Sequence, residues 1–139
     1  MADAAGGIET LRRSIVELCT ADHHGDALEI EDWLRNKTAS TWAQWIARAD
    51  AVVLVADREN RIVSVGMADL RGDILLNYVH PDARFSGVSK AMLSAIEAQL
   101  RACGVRNCRL ESTLTARSFY ERCGFRPVAD NALILAKSL

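Results

Sequence analysis

The sequence predicts an α/β protein in which a mixed β-sheet is flanked by helices. Three observations carry this. Apolar residues recur at helical spacing through the first 50 positions, the texture switches at Ala51 to short β-branched runs between turn residues, and beyond His80 helical and strand patterns alternate.

Taken in order, Ile8, Leu11, Ile15, Val16 and Cys19 share one face of a first helix, which the polar stretch TADHHGD ends. A second helical run carries Leu28, Ile30, Trp33 and Leu34. A third carries Trp42, Trp45, Ile46 and Ala49 behind a Thr41–Gln44 pair that reads as a capping box. Next come AVVLVA, the turn DREN, RIVSVGMADL, a turn at Arg71-Gly72-Asp73 and ILLNYV, the pattern of a three-stranded antiparallel meander. The following helix has Val88, Met92, Ala95, Ile96, Leu100 and Cys103 on its apolar stripe. Lys90, Ser94, Glu97 and Arg101 lie outside the stripe, and Gly104 stands where a helix terminates. A strand in NCRLESTL, a short helix in TARSFYERC ending at Gly124, and strands in FRPVA and ALILAK complete the order. The strand from residue 74 should join the strand near 108 through a helix, as a parallel, right-handed crossover.

With no internal repeat, no low-complexity linker and two prolines, Pro81 and Pro127, residues 1–139 read as one domain. It comprises a helical region at 1–50, a core at 51–130 and a C-terminal strand at 131–139. Half of the residues are hydrophobic, enough for a real core. No window reaches the roughly 18 uninterrupted apolar residues of a membrane span, and MADAAGGIETLRR lacks the apolar stretch of a signal peptide, so the expected location is cytoplasmic and no membrane partner is expected. Cys19, Cys103, Cys108 and Cys123 have no ligand-like spacing and read as reduced thiols; no metal site is expected. A net charge of −1 excludes a general polyanion binder. Residues 1–79 carry a net −5 and residues 80–139 a net +4, a division that suits a cationic substrate on one side and a phosphorylated one on the other, or reflects ordinary surface variation.

The segment HPDARFSGVSKAML leaves a strand through Pro81 and enters a helix near Gly87. It is neither a nucleotide-triphosphate P-loop nor a dinucleotide Gly-x-Gly-x-x-Gly turn. What remains is Arg84-x-x-Gly87-x-Ser89 at a helix start, where the N–H groups of residues 85 to 90 are free to meet a pyrophosphate.

That loop does not stand alone. Val79, Pro81, Arg84, Gly87 and Ser89, followed by Ala116, Phe119, Tyr120, Gly124 and Phe125, resemble the GNAT superfamily of N-acetyltransferases, whose pattern is Val-x-Pro, Arg/Gln-x-x-Gly-x-Gly/Ala and later Ala-x-x-Phe-Tyr-x-x-x-Gly-Phe. Residues 51 to 130 fit. Two positions depart: Ser89 stands where Gly or Ala is usual, and Phe85 replaces a frequent Gly. The family's usual strand before the first helix has only MADAAGG to supply it, so the resemblance implies a GNAT fold with a missing or shortened first strand.

The resemblance implies acetyl-CoA as cosubstrate, with no metal, in a cleft where two parallel strands splay. Tyr78 and Val79 would bond the pantetheine, and Arg84, Phe85, Ser86, Gly87, Val88, Ser89 and Lys90 would cradle the pyrophosphate. Lys90 or Arg117 would meet phosphate charge, and Thr113 and Phe119 would line the cleft. Tyr120 would be catalytic, donating to the departing thiolate. His23, His24 and Glu111 border the acceptor side as substrate-binding residues and candidate bases, with relay through water as the alternative. Trp33, Trp42 and Trp45 read as helix packing. The implied reaction is acetyl transfer to a primary amine, small or on a peptide or protein, by direct attack in a ternary complex. A homodimer is open. The alternatives are a CoA-binding sensor or interaction domain, and a toxin-type enzyme acting on aminoacyl-tRNA; the acidic first half opposes the latter, and no nucleic-acid partner is expected.

Overall fold

The computed structural model describes residues 3–128 and 131–139. The helices are α1 (Ala4–Leu18), α2 (Thr20–His23), α3 (Ala27–Leu34), α4 (Ala39–Ala47), α5 (Val88–Ala102) and α6 (Arg117–Arg122). The strands are β1 (Ala51–Arg58), β2 (Arg61–Asp69), β3 (Asp73–Val79), β4 (Asn107–Glu111), β5 (Arg126–Val128) and β6 (Asn131–Ser138). They form one sheet in the order β1-β2-β3-β4-β6-β5, antiparallel everywhere except between β3 and β4. Among the described residues no strand precedes β1, so the first 50 positions are helical as the sequence pattern indicates. The strand expected at 131–139 is no appendage: β6 lies inside the sheet, between β4 and β5.

Two apolar layers cover the sheet. On one face α5, α6 and the turn after α6 bury Met92, Ile96, Leu100, Tyr120 and Phe125 against Ala68, Ile74, Leu110 and Leu135. On the other, α1 and α4 bury Leu11 and Trp42 against Val65, Met67 and Leu76. Gly7 lets α1 approach closely, since a Cβ there would meet the Trp42 ring at 2.4 Å. The β1–β2 turn needs left-handed backbone at Glu59 and Asn60, and the β2–β3 turn needs it at Gly72.

Several helix details differ from the pattern. Val16 is 41% exposed and Leu28 76% exposed, because α1 buries the small residues Gly7, Thr10 and Ser14 instead, and α3 buries only Leu34. The α4 cap is Thr38, whose hydroxyl accepts from the Thr41 N–H, so no capping box starts at Thr41. Glu97 is buried despite its charge, because Lys137 (2.9 Å) and Arg101 (3.3 Å) pair with it. Cys103, expected on the apolar stripe, is exposed at the end of α5.

The element that shapes the site is an irregularity in β3. Met67 faces Leu76 while Ala68 faces Ile74, which leaves Leu75 as an extra residue. The bulge bends β3, and its parallel pairing with β4 stops after Asp73↔Arg109 and Ile74↔Leu110. From there the two strands part.

Candidate functional site

Where β3 and β4 diverge a cavity of about 580 Å³ opens. Its floor and walls come from the C-terminal half of β3, the segment from Ala83 to Lys90, the start of α6 and the end of α1. A second cavity of about 770 Å³ adjoins it and shares Ile74, Leu75, Tyr78, Leu110, Glu111 and Thr113. The splay is thus open on both sides of the sheet.

The first cavity is rimmed by donors. The chain leaves β3 through a 3-10 turn at Pro81–Ala83, takes a left-handed step at Phe85 (φ 62°) and another at Gly87 (φ 81°), and enters α5 at Val88. After the Arg84 N–H, which bonds the Pro81 carbonyl at 3.3 Å, the next paired N–H is that of Ala91, on the Gly87 carbonyl at 3.0 Å. The N–H groups of Phe85, Ser86, Gly87, Val88, Ser89 and Lys90 have no acceptor among the described residues, and no side chain caps the helix. An anion with several oxygens is what such an array can hold, aided by the helix dipole. The loop is braced: the Ser86 hydroxyl donates to the Ala83 carbonyl and accepts from Arg58 at 3.1 Å. The Arg84 guanidinium lies 4.5 Å from the centre of the Phe85 ring, which is itself 91% exposed. Arg117 is occupied by Glu121 at 2.6 Å, whereas Lys90 is exposed beside the loop.

On β3 the His80 N–H bonds the Val63 carbonyl at 2.7 Å, and the regular register with β2 turns the Tyr78 main chain the same way. The Val79 main chain points to the cleft edge instead. Of the two residues expected to offer main chain to the cleft, the register leaves Val79 free and commits Tyr78 to β2. The Tyr78 side chain lines both cavities, and burial pushes its phenol well above the ordinary value.

Tyr120 reaches the cavity from α6. Its ring is 6% exposed and packs edge-on against Phe119 and Phe125, with centroids 5.2 and 5.6 Å away. The phenol oxygen accepts a hydrogen bond from the Asn77 side-chain amide at 3.2 Å, and its own hydrogen has no acceptor among the described residues. Burial pushes this phenol up to about 12, against the opposing effect of the Asn77 contact. Phe119 lines the same cavity. Thr113 lines both, with its hydroxyl accepting the Ala116 N–H at 3.1 Å just ahead of α6.

On the acceptor side the expected residues separate. His23 is buried, its Nε2 on the Ile15 carbonyl at 2.8 Å and its Nδ1 accepting from the Gly25 N–H at 3.0 Å. With both nitrogens committed it is a structural histidine, which corrects the expectation that it meets substrate. His24 is exposed in the left-handed turn after α2 and lines neither cavity of the splay. Glu111 lines both cavities, is exposed, and has no partner for its carboxylate among the described residues. Trp33 also borders the second cavity, while Trp42 is core.

Two residues escaped the sequence reading. Asn77 interrupts the apolar run ILLNYV, a signal open to notice. Asp22 receives the N–H of Leu114 (2.6 Å), the N–H of Thr115 (3.2 Å) and the Thr115 hydroxyl (2.7 Å), tying α2 to the loop after β4 across 92 and 93 residues of sequence, which no local pattern could reveal. Among the described residues no three His, Cys, Asp or Glu side chains gather as a metal site, and no helix is long and apolar enough to cross a membrane.

The same fold recurs in solved structures. PaiA N-acetyltransferase from Thermoplasma acidophilum, solved with coenzyme A, superposes with a TM-score of 0.84 at 22% identity, over 99% of this chain and 94% of that one. A GCN5-related N-acetyltransferase from Rhodopseudomonas palustris gives 0.88 at 21% identity, over 99% and 91%. A GNAT family acetyltransferase from Brucella melitensis, solved with acetyl-CoA, gives 0.63 at 21% identity, over 99% and 82%. No curated protein matches the sequence. These likenesses establish the fold. The family follows from the sequence itself: residues 19–133, from the end of α1 into β6, match the acetyltransferase (GNAT) domain model, and the chain belongs to that family of acyl-transferring enzymes.

Proposed function

We propose that this protein transfers an acetyl group from acetyl-CoA to a primary amine, with both substrates bound at once on the two sides of the splayed strands. The observation that carries the reading is the row of six unpaired N–H groups, Phe85 to Lys90, opening onto the cavity that the Tyr120 hydroxyl enters. The row suits a diphosphate, whose charge neutral amides and a helix N-terminus stabilise without themselves titrating. The free main-chain edge at Val79 suits the amides of pantetheine. Coenzyme A and acetyl-CoA in the structures similar to this one support the same assignment.

The amine nitrogen attacks the thioester carbonyl, the C–N bond forms, and the C–S bond breaks with its electron pair going to sulfur. Tyr120 faces that sulfur. Burial that pushes its phenol up to about 12 makes the hydroxyl reluctant to ionise. Its contribution is therefore a hydrogen bond that strengthens as charge builds on sulfur, rather than surrender of the proton. Glu111, a free carboxylate between the cavities, holds the incoming ammonium, with the Trp33 and Tyr78 rings beside it. The ammonium loses one proton to water through the open second cavity before it attacks, and the second proton, shed from nitrogen as the amide forms, passes through water to the thiolate, which leaves as the free thiol.

Acetyl-CoA titration followed by thiol release across diamines, polyamines and peptides with free N-termini tests this. Saturable acetyl-CoA binding and thiol release with at least one amine class, with KM for that amine raised in Glu111→Gln, is expected. Binding without thiol release for any amine would overturn the catalytic reading and leave a sensor of coenzyme A.

A further inference from the structure

We propose that Asn77 is a positioning residue that sets the direction of the Tyr120 hydroxyl, so that the phenol hydrogen is presented to the cleft. This rests on the catalytic reading of Tyr120 given above.

The β3 bulge places Asn77 where it can do so. Ile74 packs with the α5 and α6 layer, whereas Leu76 and Tyr78 pack toward α1. The extra Leu75 resets the alternation and brings Asn77 to the same face as Ile74, against Tyr120. Without the bulge that position would face α1.

A phenol hydroxyl in contact with a primary amide has two arrangements. In one, the phenol donates to the amide oxygen and its hydrogen is spent. In the other, the amide N–H donates to the phenol oxygen and the hydrogen is left over. The structure has the second, with Nδ2 at 3.2 Å from the phenol oxygen. That choice strands the other half of the amide: Asn77 Oδ1 is buried with no partner, one of two such side-chain atoms among the described residues, the other being Ser64 Oγ. A stranded buried acceptor weakens the fold, and a leucine would fill the same volume without one. Asn77 therefore contributes little to stability where it stands. What it does supply is an N–H on the phenol oxygen that persists, and tightens, as the phenol polarises toward a leaving thiolate. The other groups against the phenol are the Phe119 and Phe125 rings, and the titratable groups coupled to it are the Cys123 thiol on the following turn and the Tyr78 phenol on β3.

The test uses Asn77→Leu and the ionisation of Tyr120. Ring-fluorinated tyrosine lowers the phenol's ionisation into a range the protein tolerates, and the fluorine signal missing in Tyr120→Phe assigns Tyr120 among the two tyrosines. If the amide N–H donates to the phenol, Asn77→Leu raises the ionisation midpoint; a midpoint that falls or stays put means the phenol donates, and overturns the proposal. In the unlabelled protein Asn77→Leu is expected to lower kcat about fivefold with KM for acetyl-CoA unchanged and a melting temperature equal to or above the parent. Asn77→Asp, whose carboxylate takes the phenol hydrogen, is expected to lower kcat further. Turnover lost in Tyr120→Phe but intact in both Asn77 variants overturns the proposal and leaves the Tyr120 reading standing. Turnover intact in Tyr120→Phe as well overturns the Tyr120 reading itself.

Discussion

Replacing Tyr120 by Phe removes one oxygen from the site and little else. The ring remains in the T-shaped cluster with Phe119 and Phe125, so the wall of the cavity keeps its shape. The lost interaction is a hydrogen bond to a sulfur that acquires negative charge in the transition state and carries almost none in the thioester. Hydrogen bonds to charged groups contribute about 1.5–3 kcal/mol, and that difference applied to the barrier lowers kcat by roughly 10- to 150-fold. Because the ground-state thioester benefits little, acetyl-CoA affinity should stay within about twofold. The fold should weaken modestly, since the Asn77 N–H loses its acceptor and joins an already unpaired Oδ1. Thiol-release kinetics at saturating amine, a direct binding titration with acetyl-CoA, and a thermal melt separate the three effects. An unchanged kcat would show that the Tyr120 hydroxyl takes no part in the departure of the thiolate. A large fall in acetyl-CoA affinity would make the hydroxyl a ground-state contact instead.

Phe85 holds a left-handed φ of 62° with a ring 91% exposed, so it carries a backbone cost with little burial in return; Phe85→Gly should raise stability by roughly 0.5–1 kcal/mol, after the larger chain entropy of glycine is allowed for. A lowered melting temperature would show that the ring packs in solution. His80 is buried, with Arg61 and Arg13 at 2.7 and 3.2 Å from Nε2 and the Asp82 N–H on Nδ1. Burial first, then the two guanidiniums, hold its pKa below the ordinary value. The unfolded chain therefore takes up this proton first, so stability is flat above about pH 6.5 and falls as pH drops below it toward the folded-state value. Denaturant titrations from pH 7.5 to 5 should show that slope, and it should flatten in His80→Asn; an equal slope in the variant would assign it elsewhere.

Sequence periodicity located the meander, the long helix and both glycine stops because those signals are local: alternation over a few residues, an apolar stripe, a left-handed terminus. The candidate site was legible in the same measure. Loop and Tyr120 sit in contiguous motifs, and the GNAT resemblance rested on their joint spacing. What the sequence did not disclose is set by pairing across the chain. The bulge at Leu75 exists only relative to Met67 and Ala68, so neither the β3–β4 divergence nor the face of Asn77 could be read from ILLNYV. His23 looked like a loop histidine beside a cleft, but eight residues back the Ile15 carbonyl had already claimed its Nε2. The inward placement of β6 likewise depends on β4, from which it is separated by a helix and a strand.

Amide chemical shifts of residues 85 to 90, followed while coenzyme A and then acetyl-pantetheine are added, bear most directly on the loop's role. Coenzyme A should move the resonances of Phe85 through Lys90 as their free N–H groups close on the diphosphate, and acetyl-pantetheine, which has no diphosphate, should leave them in place while shifting Val79. Equal shifts from both ligands, or none in this segment with coenzyme A bound, would contradict the anion-holding role on which the rest is built.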